Sequence, residues 1–175
     1  MVNGSNLKYI YEYIEQKKGL RGLSEFHYLV NQNSIIVPKL ETIQVDDEYS
    51  SGYLERFLNA SFQALSDDSL IFDFGKKYGE KFSKISLKLF SMIESNKKIL
   101  ETIREDMEKN IPLLKVTVEE LSEKKYVMNI RNVKTKEFNQ FINGYMESIF
   151  SKVQKKFIKV EENVQDGKRV VIKFM

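Results

Sequence analysis

The chain has 175 residues, 28 of them basic and 25 acidic, a net charge of +3 and no cysteine. Its charges interleave instead of clustering, which argues against a nucleic-acid partner. The missing cysteine excludes disulfides, thiolate metal sites, cysteine nucleophiles and S-acylation.

The N-terminal residues 1–5 read as a loose end. Leu7, Ile10, Tyr11 and Ile14 recur at helical spacing, which predicts a helix from Asn6 to Lys18 that stops at Gly19. A second helix is expected from Leu20 to Asn31, and an extended or irregular segment from Asn33 to Val45. Asp46, Asp47 and Glu48 suit a helix start, followed by a wide apolar face from Tyr49 to Leu65. Ser66-Asp67-Asp68 is an N-terminal signal for the next helix, whose stripe is Leu70, Ile71, Phe74, Tyr78 and Phe82. Gly75 and Gly79 interrupt it, each costing about 1 kcal/mol relative to alanine. Close packing against the bare backbone is the favoured explanation, and room for a ligand is the alternative. Ile85, Leu89, Met92 and Ile93 predict a fifth helix. Ile99, Leu100, Ile103 and Met107 predict a sixth, ended at Asn110-Ile111-Pro112.

From there the period switches. Leu114, Val116 and Val118, then Tyr126, Met128 and Ile130, alternate with polar or outward residues as two strands. Phe138, Phe141, Ile142, Tyr145, Ile149 and Val153 form a helical stripe. Phe157, Ile158 and Val160 and then Val170, Ile172 and Phe174 flank an Asp166-Gly167 turn. The fold class is α+β: an N-terminal helical lobe, residues 1–111, on a four-stranded antiparallel sheet with an inserted helix, residues 112–175. At this length a single domain over 1–175 is expected. No apolar run approaches about 18 residues, and residues 1–6 lack the features of a signal peptide. A cytoplasmic protein without membrane insertion is therefore expected.

Candidate chemistry is sparse. His27 is the sole histidine and stands alone, so no metal site is expected. The acidic clusters lie at predicted helix starts and lack a calcium-loop pattern. No acid, base and nucleophile assemble into a catalytic set, so an enzyme is not expected.

The segments FGKKYGEKFSKISLKLFSMI (74–93), PLLKVTVEELSEKKYVMNIRNVKTKEFNQFINGYMESIFSKV (112–153) and FIKVEENVQDGKRVVIKF (157–174) resemble the H-NOX (haem nitric oxide/oxygen binding) superfamily. Its relatives include 4-vinyl-reductase-like small-molecule domains and TRAPP-type domains. The resemblance implies an aromatic over the ligand at Phe82 and a pocket wall at Phe141, Ile142 and Tyr145. It aligns the family's haem-ligating histidine with Lys97. Residues 131–136 stand where a Tyr-x-Ser-x-Arg propionate clamp belongs and do not match it. The TRAPP-type acylation cysteine is also absent.

The expectation is a haem-free sensory domain in signalling, without cofactor. An apolar small molecule would sit between the lobes against Phe82, Leu89, Phe90, Ile93, Phe141, Ile142 and Tyr145. The alternative is a protein-interaction or scaffold domain with a filled core, a homodimer or partner binder contacting through Tyr9, Tyr13 or Tyr49. A haem gas sensor ligated by His27 or Tyr78 ranks below both.

Overall fold

The computed structural model describes residues 1–32, 38 and 40–175. The predicted segment from Asn33 to Val45 therefore falls in part outside the described residues.

Helix α1 (Gly4–Asn31) is two helical runs joined at Gly19, whose φ of 64° and ψ of −166° leave the helical region. Glycine adopts that conformation without a Cβ clash, so the predicted stop operates as a kink. The N-terminus is not a loose end: β1 (Val2–Asn3) pairs antiparallel with β2 (Glu48–Tyr49). That pairing explains why Asp46-Asp47-Glu48 does not start a helix. Backbone there is taken by the ribbon, with Gly4 N–H donating to the Asp47 carbonyl at 2.9 Å. The cap is Ser50 instead, and α2 runs Ser51–Leu65. Asp67 does cap α3 (Asp68–Phe82), accepting from the amides of Ser69 and Leu70. The predicted fifth helix is the short α4 (Leu87–Ser91), and α5 is Asn96–Asn110. Among the described residues no helix is long and apolar enough to cross a membrane.

The C-terminal part follows the period switch. It comprises β3 (Lys115–Ser122), β4 (Lys125–Arg131), α6 (Lys136–Phe150), β5 (Phe157–Val164) and β6 (Gly167–Phe174). The sheet order is β3-β4-β6-β5, antiparallel throughout, which leaves β3 and β5 as edges. In the last hairpin the left-handed residue is Asp166 (φ 58°), not Gly167. Gly167 is needed for another reason: a Cβ there would stand 2.3 Å from the Ile130 carbonyl oxygen. One apolar cluster joins α1, α2, α3, α5, α6 and the inner sheet face, from Leu7 and Phe57 through Phe141 to Met128 and Ile172.

Candidate functional site

Helices α3 and α6 cross at backbone contact. A Cβ on Gly75 would lie 1.9 Å from the Phe141 carbonyl oxygen, and one on Gly144 would lie 2.0 Å from that of Phe72. A Cβ on Gly79 would meet Ser148 Oγ at 2.1 Å. Of the two readings of the stripe glycines, the structure takes close packing.

Around this crossing the aromatics interlock. Tyr78 packs on Phe82 (4.7 Å between ring centroids), Phe141 (5.4 Å) and Tyr145 (6.3 Å), and Phe74 packs on Phe141 (5.1 Å). A buried polar chain threads the same core. Asn6 Nδ2 donates to Tyr78 Oη at 2.7 Å, and Tyr78 donates to the Asn110 carbonyl at 3.2 Å. Asn110 Nδ2 donates to Tyr145 Oη at 3.0 Å, and Tyr145 donates to Asp106 Oδ2 at 2.8 Å. The Lys84 amide satisfies Asp106 Oδ1 at 3.1 Å. Burial raises both phenols above their ordinary range, and the Asp106 carboxylate pushes Tyr145 further, so each stays a neutral donor. These bonds tie α1, α3, α5 and α6 directly together.

The residues expected to line a pocket are placed unevenly. Phe141, Ile142 and Tyr145 are fully buried and Phe90 nearly so, while Phe82 and Ile93 are half-buried. Leu89 is 38% exposed, because α4 turns the adjacent Phe90 inward and leaves Leu89 on its outer side. The structure gathers Phe82, Phe141 and Tyr145 around Tyr78 as packed core. The tyrosines expected to form an exposed contact are also otherwise engaged. Tyr13 is 2% exposed and donates to Asp73 Oδ2 at 2.8 Å. Tyr9 packs edge-on to Phe82 at 5.4 Å, and Tyr49 accepts the Gln44 amide beside the β1–β2 ribbon.

An open cleft of about 310 Å³ lies to one side of this core, between the helical and sheet parts. Leu58 and Phe62 of α2, Leu113 before β3 and Phe138 of α6 supply its apolar surface. Phe62 and Phe138 rest on Phe141 at 5.7 and 6.3 Å, so the expected wall residue stands directly behind the cleft floor. Glu55, Asn59, Asn132, Lys134 and Thr135 form a polar rim. Asn132 is held in a left-handed turn (φ 69°), with its Nδ2 donating to the Leu113 carbonyl at 2.9 Å. Thr135 caps α6 by accepting the Phe138 amide at 3.1 Å. Glu55 and Lys134 make no ion pair among the described residues, which leaves one free charge of each sign at the mouth.

None of the cleft residues is among the pocket residues expected from the sequence, although Asn132, Lys134 and Thr135 fall in the 131–136 stretch that the resemblance aligns with a propionate clamp. Phe62 and Phe138 read as ordinary stripe positions, and no periodicity marks the loop from Asn132 to Thr135. The polar chain was legible in principle, because Asp106 and Asn110 share the inward face with Ile103 and Met107.

No protein-family model matches the chain, and no curated protein matches it. Solved structures do. The Fe(II) unliganded H-NOX protein from K. algicida aligns with a TM-score of 0.64 at 14% identity, covering 99% of this chain and 97% of that one. An H-NOX protein from S. oneidensis in the Fe(II)NO state gives 0.59 at 10% identity, with 99% of both chains covered. A single-site mutant of T. tengcongensis H-NOX gives 0.54 at 12%, covering 99% of this chain and 97% of that one. The chain therefore has an H-NOX-like fold.

Its residues do not fit the haem that this fold implies. Lys97 lies at the surface, paired with Glu120 at 3.6 Å. His27 packs against the Tyr11 ring at 5.0 Å, in the second half of α1. Tyr78 has both its donor and its acceptor role filled by Asn110 and Asn6. Between α5 and the α6 wall, the space is crossed by the Tyr145–Asp106 hydrogen bond. Among the described residues no cluster of His, Asp or Glu suits a metal ion.

Proposed function

We propose that this is a haem-free, non-enzymatic ligand-binding domain with a sensory role. It takes a small, largely apolar molecule into the cleft between α2 and α6. The observation that carries this reading is the contrast between two places. The seam joining α3, α5 and α6 is spanned by glycine contacts and direct hydrogen bonds. The neighbouring cleft has room, a phenylalanine floor and a polar rim. Apolar walls with a few convergent polar groups and a volume of roughly 300 Å³ or more are the usual character of small-molecule sites.

The ligand's apolar body lies on Phe62, Phe138, Leu58 and Leu113, and its polar end faces Lys134, Asn132 or Glu55. Occupancy favours whichever spacing of α2 and α6 binds it better, and that differential affinity is the signal.

The test is native against denatured mass spectrometry of freshly purified protein, followed by solvent extraction. A mass increment lost on denaturation is expected. Asn59→Trp, which fills the cleft mouth from an exposed position, should abolish it, and Phe82→Ala should not. A native mass equal to the bare chain, or to a clean multiple of it, refutes ligand binding. Loss of the increment in Phe82→Ala with retention in Asn59→Trp moves the ligand to the α3–α6 side.

A further inference from the structure

The two edges of the sheet are treated differently. On β3 the edge is covered: Glu108 Oε1 of α5 accepts the Val116 amide at 2.8 Å, and Lys97 of α5 pairs with Glu120 at 3.6 Å. The backbone edge of β5 has no such cover among the described residues, although Asn139 of α6 donates to the Asn163 side chain at 2.8 Å. Among the described residues no side chain bonds to the backbone of Phe157–Val164, and β6 is its only strand partner. An uncovered strand edge is a template for pairing. This one also carries exposed apolar residues on the outer sheet face: Ile158 at 53%, Val160 at 52% and Val164 at 47%.

The register of the sheet continues this apolar row inward, to the half-buried Val171 and the buried Val127. Val160 stands opposite Val171, and Val171 stands opposite Val127, so three valines form a row across β5, β6 and β4. On the inner face, Lys159 and Glu161 flank Val160 and are paired at 2.7 Å.

We infer that β5 is a homotypic interface, on which a second copy of this chain adds its own β5 antiparallel about a two-fold axis through Val160. Charge selects that register. A two-fold perpendicular to the sheet keeps each side chain on its own face, so every allowed register is centred on a single residue. Centring on Lys159, Glu161 or Glu162 sets that charge against its own copy, which is unfavourable directly across strands. Centring on Ile158 sets Lys159 against Phe157. Centring on Val160 sets Lys159 against Glu161 of the second copy, twice, with Val160 on Val160 between them. Each copy's valine row then continues into the other across an eight-stranded sheet.

The absence of cysteine makes a direct test free of background thiols. Val160→Cys is expected to form a covalent dimer on mild oxidation, because positions 160 are opposed. Val164→Cys is expected to stay monomeric on denaturing gels, because its opposite position is Lys156. In sedimentation velocity the wild type should dimerise with concentration. Val160→Lys, at an exposed position and checked for unchanged thermal unfolding, should raise the dimer dissociation constant at least tenfold. A wild type that is monomeric at all concentrations overturns the inference. So does a dimer indifferent to Val160→Lys, or cross-linking through position 164 in place of 160. All these readouts hold for protein stripped of any ligand, so they succeed or fail independently of the cleft.

Discussion

Gly75→Ala measures how closely α3 and α6 approach. The added methyl would sit 1.9 Å from the Phe141 carbonyl oxygen and 2.7 Å from its carbon. Both are backbone atoms, so no rotamer change relieves the clash and the helices must separate. Overpacking of this kind typically costs about 1–3 kcal/mol, and rigid backbone on the far side argues for the upper end. Replacing glycine with alanine inside a helix returns about 1 kcal/mol. The expected net loss is about 2 kcal/mol, or a fall in Tm of about 4–8 °C for a chain of this size. Urea denaturation gives the free energy directly and shows through an unchanged slope that unfolding stays two-state. Gly52→Ala is the control, because its nearest neighbour is Ser50 Oγ at 3.5 Å, an ordinary contact. It should be neutral or slightly stabilising. Gly144→Ala makes the reciprocal clash with Phe72, so the double variant with Gly75→Ala should cost less than the sum of the two, the helices having already moved apart. Equal or greater stability of Gly75→Ala, or strict additivity of the pair, would refute the close crossing.

Tyr145→Phe removes the donor to Asp106 and the acceptor for Asn110 in one step. Asn110 keeps its bond to the Asp106 carbonyl, but Asp106 Oδ2 loses its partner, which should cost about 1–3 kcal/mol in urea denaturation; a neutral result would remove the polar chain as a source of stability. Haemin titration should give no Soret band beyond that of a protein without an axial ligand; an intense, saturable band would overturn the haem-free reading. Glu161 supplies the pH dependence. Burial acts to raise its pKa, but hydrogen bonds and charge from Lys159 and Lys168 outweigh this, and the net shift is downward from 4.5. Its stabilising contribution is therefore complete above the unfolded value and is lost as pH falls through the lower folded value. The stability gap between wild type and Glu161→Gln should be constant at neutral pH and shrink below about pH 4. A gap that widens on acidification would contradict the ion-pair assignment.

The C-terminal third was readable because each strand and α6 carries its own period, and the two turns are short. Those residues are patterned by local geometry, with one face in and one face out. The N-terminal ribbon was not readable. Val2–Asn3 and Glu48–Tyr49 are two residues each, too short for a period, and they form only because the chain folds back across Gly4. Asp46–Glu48 has the composition of a helix start, and the ribbon overrode it. At the site, the apolar stripes correctly gave Phe141, Ile142 and Tyr145 as inward residues. Inwardness does not say whether an aromatic lines space or fills it. That depends on Gly75 and Gly144 meeting the opposite backbone, a relation between distant positions in the chain. The cleft depends likewise on the left-handed turn at Asn132, which shows no periodic signature.

Helix α6 connects the cleft to the free sheet edge. Phe138 in its first turn lines the cleft, and the next residue, Asn139, donates to Asn163 Oδ1 of β5 at 2.8 Å. Asn139 Oδ1 is buried with no partner among the described residues, so this contact is only half satisfied and little opposes its rearrangement. One turn on, Asn143 and Glu161 both receive Lys168, which joins the same helix to the centre of β5. A ligand that shifts the start of α6 would therefore be felt where Lys159 and Glu161 set the two-fold register. If cleft and edge both act as proposed, the dimer dissociation constant should change on adding the extracted ligand, with couplings of this kind typically about 5–150-fold. By linkage, ligand affinity should change by the same factor between monomer and dimer. Asn139→Ala removes the bridge and touches neither Val160 nor the cleft floor. It should leave dimerisation and ligand uptake each intact while drawing the coupling factor toward one. A coupling factor unchanged in Asn139→Ala would mean that the signal bypasses this contact, leaving the Lys168 junction as the route to test.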